Sequence, residues 1–513
     1  MKTPAQRFKM PFRVSDRSVV ETLRDRWSVR LLDASKARRT YLDTADSRVL
    51  RAGWALGFRP GDSGSLVLEL SSAADDNVLA RCAADDPPQW ARDLPDGEPW
   101  KRLADAIGER RLLCRLVVES STKRYAILDE EMKTTVRVLF ERHLRPADGN
   151  SAAQRLRLVA LSPVRGYEDW SRRVSKALLS AGLAEHDGCL ITHLAGSTVT
   201  APGSSPSQIN VMRRSMPVGL AVSQVLASLR NEMVGNEQGV REQTDIEFLH
   251  DYRVASRRAR SVLNQVKALL PLETDELLSA ELRWLGTLTG PARDLDVQIA
   301  DAHGGVENLE GMVRLLERRR AQAQVDLVAA LDSPRYKLLL ETWQMVEEAA
   351  AASSTSWPGS EPAGPILDRH IDRAHRRVLR RGKVIDDESP AEMLHDLRKK
   401  TKAFRYMLEM FAPLYTGSDL KTAIRELKAL QDNLGEFQDS QVQAGAIRHL
   451  AEEMLEEKSG SASELMAMGR IADSLETRQL RARAEFANRF ARFASPEVTK
   501  RYRRMFGSSR GVR

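Results

Sequence analysis

Two stretches decide how this chain is read: His250-Asp251-Tyr252-Arg253-Val254-Ala255-Ser256-Arg257-Arg258-Ala259-Arg260 and His395-Asp396-Leu397-Arg398-Lys399-Lys400-Thr401-Lys402-Ala403-Phe404-Arg405. In each, cations follow the histidine at offsets of three, seven and ten. At about 100° per helical residue those positions share an arc of roughly 80°. Each copy therefore predicts a helix with one stripe of His, Arg and Lys. A narrow cationic stripe has a purpose when an anion meets it.

The register extends beyond the motif. The copies lie 145 residues apart, and Glu281-Leu282-Arg283-Trp284-Leu285 aligns at that offset with Glu426-Leu427-Lys428-Ala429-Leu430. Gly290 aligns with Gly435, Arg293 with Gln438, Asp294 with Asp439 and Val297 with Val442. A constant offset over this span predicts two copies of one helical unit, related by pseudo-twofold symmetry and meeting at a shared cleft. Ala259, Val262, Leu263 and Val266 lie opposite the first stripe; Phe404, Met407, Leu408 and Phe411 lie opposite the second. Each helix should pack by that apolar face and present the other. Lys267 continues the first stripe, whereas the second has Ala412 there. Trp284 and Leu285 read as core.

Composition narrows the classes. The chain has 513 residues, enough for two or three domains, with 29% charged and 5% aromatic residues. That balance favours helix-rich organisation. A net charge of +8 is a modest excess for this length, so local clustering matters more than the total. Cys82, Cys114 and Cys189 have neither disulfide-framework nor zinc-site spacing and suggest a reducing compartment. Residues 1–14 lack the apolar core of a signal peptide, and no run approaches the roughly 20 apolar residues of a membrane span. The expectation is a soluble, cytoplasmic protein.

Residues 1–195 read as mixed α and β. Strand-like runs occur at 39–43, 54–59, 66–70, 112–119, 135–140 and 156–161, with a helix capped by Asp16 to about Leu32 and another at 166–179. Residues 196–216 have linker composition, as do residues 349–364 between the halves 217–348 and 365–513. The helix after the second linker carries Arg369, His370, Arg373, His375, Arg376, Arg377, Arg380 and Arg381, too far round to form one face.

The C-terminal region resembles a CHAD domain, a conserved histidine α-helical domain. The resemblance rests on the two His stretches, Arg293-Asp294-Leu295-Asp296-Val297, and Leu430-Gln431-Asp432-Asn433-Leu434-Gly435 with Asp439. It implies two helical bundles about a pseudo-twofold axis that bind inorganic polyphosphate through basic groove residues. Some members of that family associate with polyphosphate granules, so inorganic polyphosphate and other polyphosphate-granule proteins are the partners expected here. Carried onto this chain, the polyphosphate-binding residues would be His250, Arg253, Arg257, Arg260, Lys267, Arg293, Arg376, His395, Arg398, Lys399, Lys402 and Arg405. Lys399, like Arg258, sits off the stripe.

The N-terminal region resembles a CYTH domain, an antiparallel β-barrel of the triphosphate-tunnel type, through Tyr41-Leu42-Asp43-Thr44, Leu50, Gly53 and Leu56-Gly57-Phe58-Arg59. The whole is thus expected to be an α+β multidomain protein. CYTH triphosphatases hold a divalent metal on Glu-x-Glu-x-Lys. The corresponding run here is Ala5-Gln6-Arg7-Phe8-Lys9, which keeps only the lysine. A later strand expected to alternate glutamates reads Arg155-Leu156-Arg157-Leu158-Val159, and Glu69 stands where lysine is expected. Without clustered carboxylates a hard metal has no evident site, so lost hydrolysis, no cofactor and no metal are the expectations.

Competing readings are a tripolyphosphatase acting through the first domain, and nucleic acid binding by the same basic surface. Tyr252 and Tyr406 are the nearest aromatics, a poor platform for base stacking. His250 and His395 have no second histidine at ligand spacing. Asp251, Asp294, Asp396 and Asp439 read as orienters of Arg or as helix caps.

Overall fold

The computed structural model describes residues 6–61, 65–147, 152–195, 212–267, 272–303, 309–355 and 358–507. The chain divides into two compact units, residues 1–204 and 205–513. Most of the linker read at 196–216, residues 196–211, lies outside the described residues.

The first unit contains β1 (Gln6–Lys9), α1 (Asp16–Arg24), β2 (Ser28–Asp43), α2 (Arg48–Arg51), β3 (Trp54–Pro60), β4 (Leu66–Ser72), β5 (Val78–Ala84), α3 (Trp100–Ile107), β6 (Leu113–Leu128), β7 (Thr134–Arg145), β8 (Gln154–Pro163), α4 (Glu168–Ser180), β9 (Ala184–Glu185) and α5 (Leu190–Ala195). The strands form one sheet in the order β5-β4-β3-β2-β6-β7-β8-β1-β9, antiparallel at every pairing. Alternation sorts the side chains. Phe8, Val138, Phe140, Val159 and Leu161 pack against Val19 and Leu23 of α1 and Val174 and Leu178 of α4. On the other face Leu156 and Leu158 join Tyr41, Leu116 and Leu190. The sheet rolls up: Arg7 Nη1 of β1 meets Asp76 Oδ2, in the turn after β4, at 2.5 Å.

Two readings of this unit need correction. The helix expected to reach Leu32 stops at Arg24, because Ser28 to Leu31 pair with Tyr125 to Leu128 of β6. Its cap is Ser15, whose side chain accepts from the Ser18 N–H, rather than Asp16. Asp16 instead receives Arg142 and Arg157.

The second unit is all helical: α6 (Val218–Glu242), α7 (Ile246–Val266), α8 (Leu272–His303), α9 (Glu310–Leu331), α10 (Pro334–Ala352), α11 (Ala363–Gly382), α12 (Ala391–Met410), α13 (Ser418–Glu456), α14 (Ala462–Phe493) and α15 (Pro496–Phe506). The starts of α6 and α11, and of α7 and α12, differ by the 145 residues of the sequence repeat. The connection between halves is shorter than residues 349–364. The alanines at 349–352 extend α10, as the strongest helix formers should.

The halves exchange reciprocal bonds. Val218 N–H donates to Glu361 O and Ala363 N–H to Met216 O, both at 2.8 Å. Gly219 N–H donates to Gly359 O, and Gly364 N–H to Arg214 O. Every donor and acceptor in one bond has its counterpart 145 residues away in the other.

Candidate functional site: a cationic seam between repeated helices

Asp245 caps α7, accepting from the N–H groups of Glu247 and Phe248. Ala259, Val262, Leu263 and Val266 are all buried, as are Phe404, Met407, Leu408 and Phe411 of the second copy. Burying each larger side chain is worth about 1.5–3 kcal/mol, and this fixes which way the opposite, cationic face turns. The two helices run in opposite directions: Gln265 Nε2 of α7 donates to Ala403 O of α12 at 2.8 Å, while Arg258 Nη2 reaches Glu409 Oε2 at 3.3 Å.

The stripes meet across this seam. Burial first, then Arg398 and Arg257, lower the Lys402 ammonium to about 8, so a residue of one stripe feels the other directly. Burial and then Arg257 bring Arg253 down to about 10. Burial, then Arg283 and Arg257, also lower Arg260. His250 is lowered by burial and then by Arg293. None of Arg253, Arg260 and Lys402 has an ion pair among the described residues. Arg253 Nη1 instead donates to Gly286 O at 3.0 Å and to Thr289 Oγ1 at 2.6 Å, in the turn of α8 before Pro291. Pro291 brings no N–H to the Thr287 carbonyl one turn earlier. Gly286 and Gly290 give the guanidinium groups of Arg260 and Arg253 room against the α8 backbone.

Other cations are restrained. Arg398 Nη2 bonds Asp439 Oδ1 at 2.7 Å, one of the aspartates read as orienters of Arg or as helix caps, and Arg405 Nε lies 3.4 Å from Glu409. His395 Nδ1 is 2.8 Å from Gln438 Oε1, whereas the equivalent of Gln438 in the first half is Arg293, donating to Ile246 O. At this position the first half carries a cation and the second a neutral amide. Arg283 was missed as a site residue, although it aligns with Lys428 in the repeat and presses on Arg260.

Three sequence-named residues stand apart from this cluster. Lys267 pairs with Glu276 at 2.8 Å at the end of α7, where the stripe leaves the helix. Lys399 is exposed, on the solvent side of α12. Arg376 pairs with Asp372 and lines a separate pocket with α15, because its position on α11 turns it that way. Tyr252 is buried and bonded to Tyr336, and Tyr406 lies under Arg258 and Arg405, so neither offers a free ring. Leu285 is core as expected, but Trp284 is half-buried beneath Arg335.

In the first unit, the sheet face bearing Leu156 and Leu158 also carries Arg7, Arg39, Glu69 and Glu141, with Arg7 paired to Asp76 and Arg39 to Glu69. Glu69 is buried between Arg39 at 2.8 Å and Arg81 at 2.6 Å. Burial raises Glu141. His143 is lowered to about 4 by burial and then by Arg7 and Arg39, with Ser120 Oγ 2.8 Å from its Nδ1. Lys9 Nζ lies 3.4 Å from His193 Nε2. Of β8, Arg157 faces the other layer, where it grips Val14 O and Asp16. Among the described residues no group of three His, Cys, Asp or Glu side chains could hold a metal ion. No helix among them is long and apolar enough to cross a membrane.

Fold and site together define a two-unit protein: a rolled antiparallel sheet, then a duplicated helical unit with a cationic seam. Residues 224–448 match the sequence model of the CHAD domain, and the C-terminal region is a CHAD domain. Two uncharacterized proteins from strains of Mycobacterium tuberculosis are each 30% identical over 290 residues, covering 53% of this chain and 52% of the relative. The chain thus matches about half the length of these curated relatives. Among solved structures, the CHAD domain from the plant Ricinus communis is 25% identical, covering 59% of this chain and 94% of that one, with a TM-score of 0.42. PptA from Streptomyces chartreusis is 16% identical (53% and 99% covered, TM-score 0.40). A Hippeastrum protein assigned as an adenylyl cyclase, with a dominant triphosphatase activity, is 13% identical (38% and 95% covered, TM-score 0.27).

Proposed function

We propose that the helical unit binds inorganic polyphosphate along the α7–α12 seam. The observation that supports this most is the charge state of the seam. Arg253, Arg260 and Lys402 are all lowered by burial and by neighbouring arginines, Arg257 among them in each case, with no ion pair among the described residues to relieve them. A polyanion laid along the seam supplies the missing counter-charge. Each stripe, from histidine to last arginine, rises about 15 Å, enough to touch several phosphates. Arginine forks bind phosphate oxygens bidentately, and a chain without bases needs no aromatic platform. His250, Arg257, Arg293, His395, Arg398 and Arg405 complete the track. On this reading the protein is cytoplasmic and gathers at polyphosphate granules. On this reading the first unit is not an engine of hydrolysis: its buried Glu69 is held by Arg39 and Arg81, and the run aligned with Glu-x-Glu-x-Lys keeps only Lys9.

The test is a double variant. Arg253→Ala with Arg398→Ala should weaken long-chain polyphosphate binding far more than either change alone, because one chain is gripped from both halves. Unchanged affinity in the double variant would place the site elsewhere. Displacement of polyphosphate by single-stranded RNA at equal phosphate concentration would move the assignment to nucleic acid.

A further inference from the structure

The basic helix α11 is not accounted for by the seam. Arg369, Arg373 and Arg376 are spaced four and three residues apart, so they share one face of α11. That face looks onto α15, and with Arg503 and Thr499 it encloses a cavity of about 590 Å³. The one carboxylate among the described lining residues, Asp372, is engaged by Arg376. Arg369, Arg373 and Arg503 have no ion pair among the described residues and are exposed.

Two further observations point to a ligand. The repeat does not account for these arginines: 145 residues earlier, α6 has Gln224, Ser228 and Asn231 in their places and Ala227 in place of Asp372. Their presence in one half only is not a legacy of duplication. The same cavity is also lined by His375, which is 97% buried, stacked on Tyr502 at 4.0 Å between ring centroids, and has no partner for its Nε2. A buried polar atom left unpaired is uncommon and marks a place where a partner belongs.

We infer that the α11–α15 cavity is a second anion site, specific for phosphoryl groups and separate from the seam. Three unpaired guanidinium forks beside a threonine hydroxyl suit the three oxygens of a terminal phosphate better than a flat carboxylate. The cavity has the size of a small-ligand site rather than of a track for a polymer. It would hold a short polyphosphate or a chain end.

Calorimetric titration of the full chain with inorganic tripolyphosphate tests this. The seam variant R257A/K402A removes the first site and should retain a tripolyphosphate-binding event. Adding R373Q/R503Q should weaken that event at least about tenfold, with an unchanged melting temperature because both residues are exposed. R373K/R503K, which keeps charge but loses the forks, should fall between. Identical isotherms for the seam variant with and without R373Q/R503Q would overturn the proposal. So would absence of any binding in the seam variant. Equal competition by poly-glutamate at matched charge would refute phosphoryl specificity. Loss of polyphosphate binding in R253A/R398A alone would bear on the seam and leave this site intact, so the two readings fail separately.

Discussion

At the scale of one residue, Lys402 is where the proposed polyanion site can be tested most directly. Its ordinary value near 10.5 is brought down to about 8 by burial and by Arg398 and Arg257. A bound polyanion must push it back up, so binding takes up a proton between those values. Polyphosphate affinity is therefore expected to fall as pH rises from 7 to 9.5, and K402R should flatten that fall because arginine keeps its charge. A pH series of binding isotherms on both proteins checks this; parallel curves would remove Lys402 from the track. The folding linkage has the opposite sense. The folded state binds this proton less tightly than the unfolded chain, so the group opposes folding below about pH 8, and the penalty fades toward 10.5. K402M should then melt no lower than the wild type at pH 7. The sequence identified Lys402 by its offset from His395, but its depressed value depends on Arg257, which lies 145 residues away in chain position.

At the scale of elements, the pattern of apolar and basic positions was enough to place the helices. Each predicted stripe lies opposite a row of residues that are all buried. What the pattern missed is the role of α8. Its Gly286 leaves the Arg260 guanidinium space, with the nearest atom 3.7 Å from where a Cβ would stand, and its carbonyl accepts from Arg253. G286A should bind polyphosphate normally and gain up to about 1 kcal/mol of stability from helix propensity. G286L should displace the arginine and weaken binding several-fold while circular dichroism stays unchanged. Wild-type affinity in G286L would show that α8 does not set the arginine positions. The same pattern also misplaced Arg376 and Lys267. Both lie near the basic run or stripe in sequence, but helix phase turns one toward α15 and chain geometry ends α7 before the other.

At the scale of the whole molecule, two predictions separate binding from catalysis. A track built from arginine–phosphate contacts should show steep salt dependence, with a log–log slope of roughly −4 to −6 if six to eight contacts each release about 0.7 of a counterion. A slope near −1 would mean that only one or two cations engage. The full chain should release no phosphate from tripolyphosphate above background with magnesium or manganese. Clear turnover that is lost in K9A would make the first unit an enzyme. The amino-acid order alone determined the duplication, its 145-residue register, the strand-rich first unit and the residue types of each stripe, because periodicity and spacing are local properties of a helix or strand. The tertiary structure alone decided that α7 and α12 lie antiparallel with Arg257 and Lys402 within mutual influence, that Glu69 is held by Arg39 and Arg81, and that Arg376 faces α15. Charge repulsion and burial act through space, and distance in space is what a linear sequence does not carry.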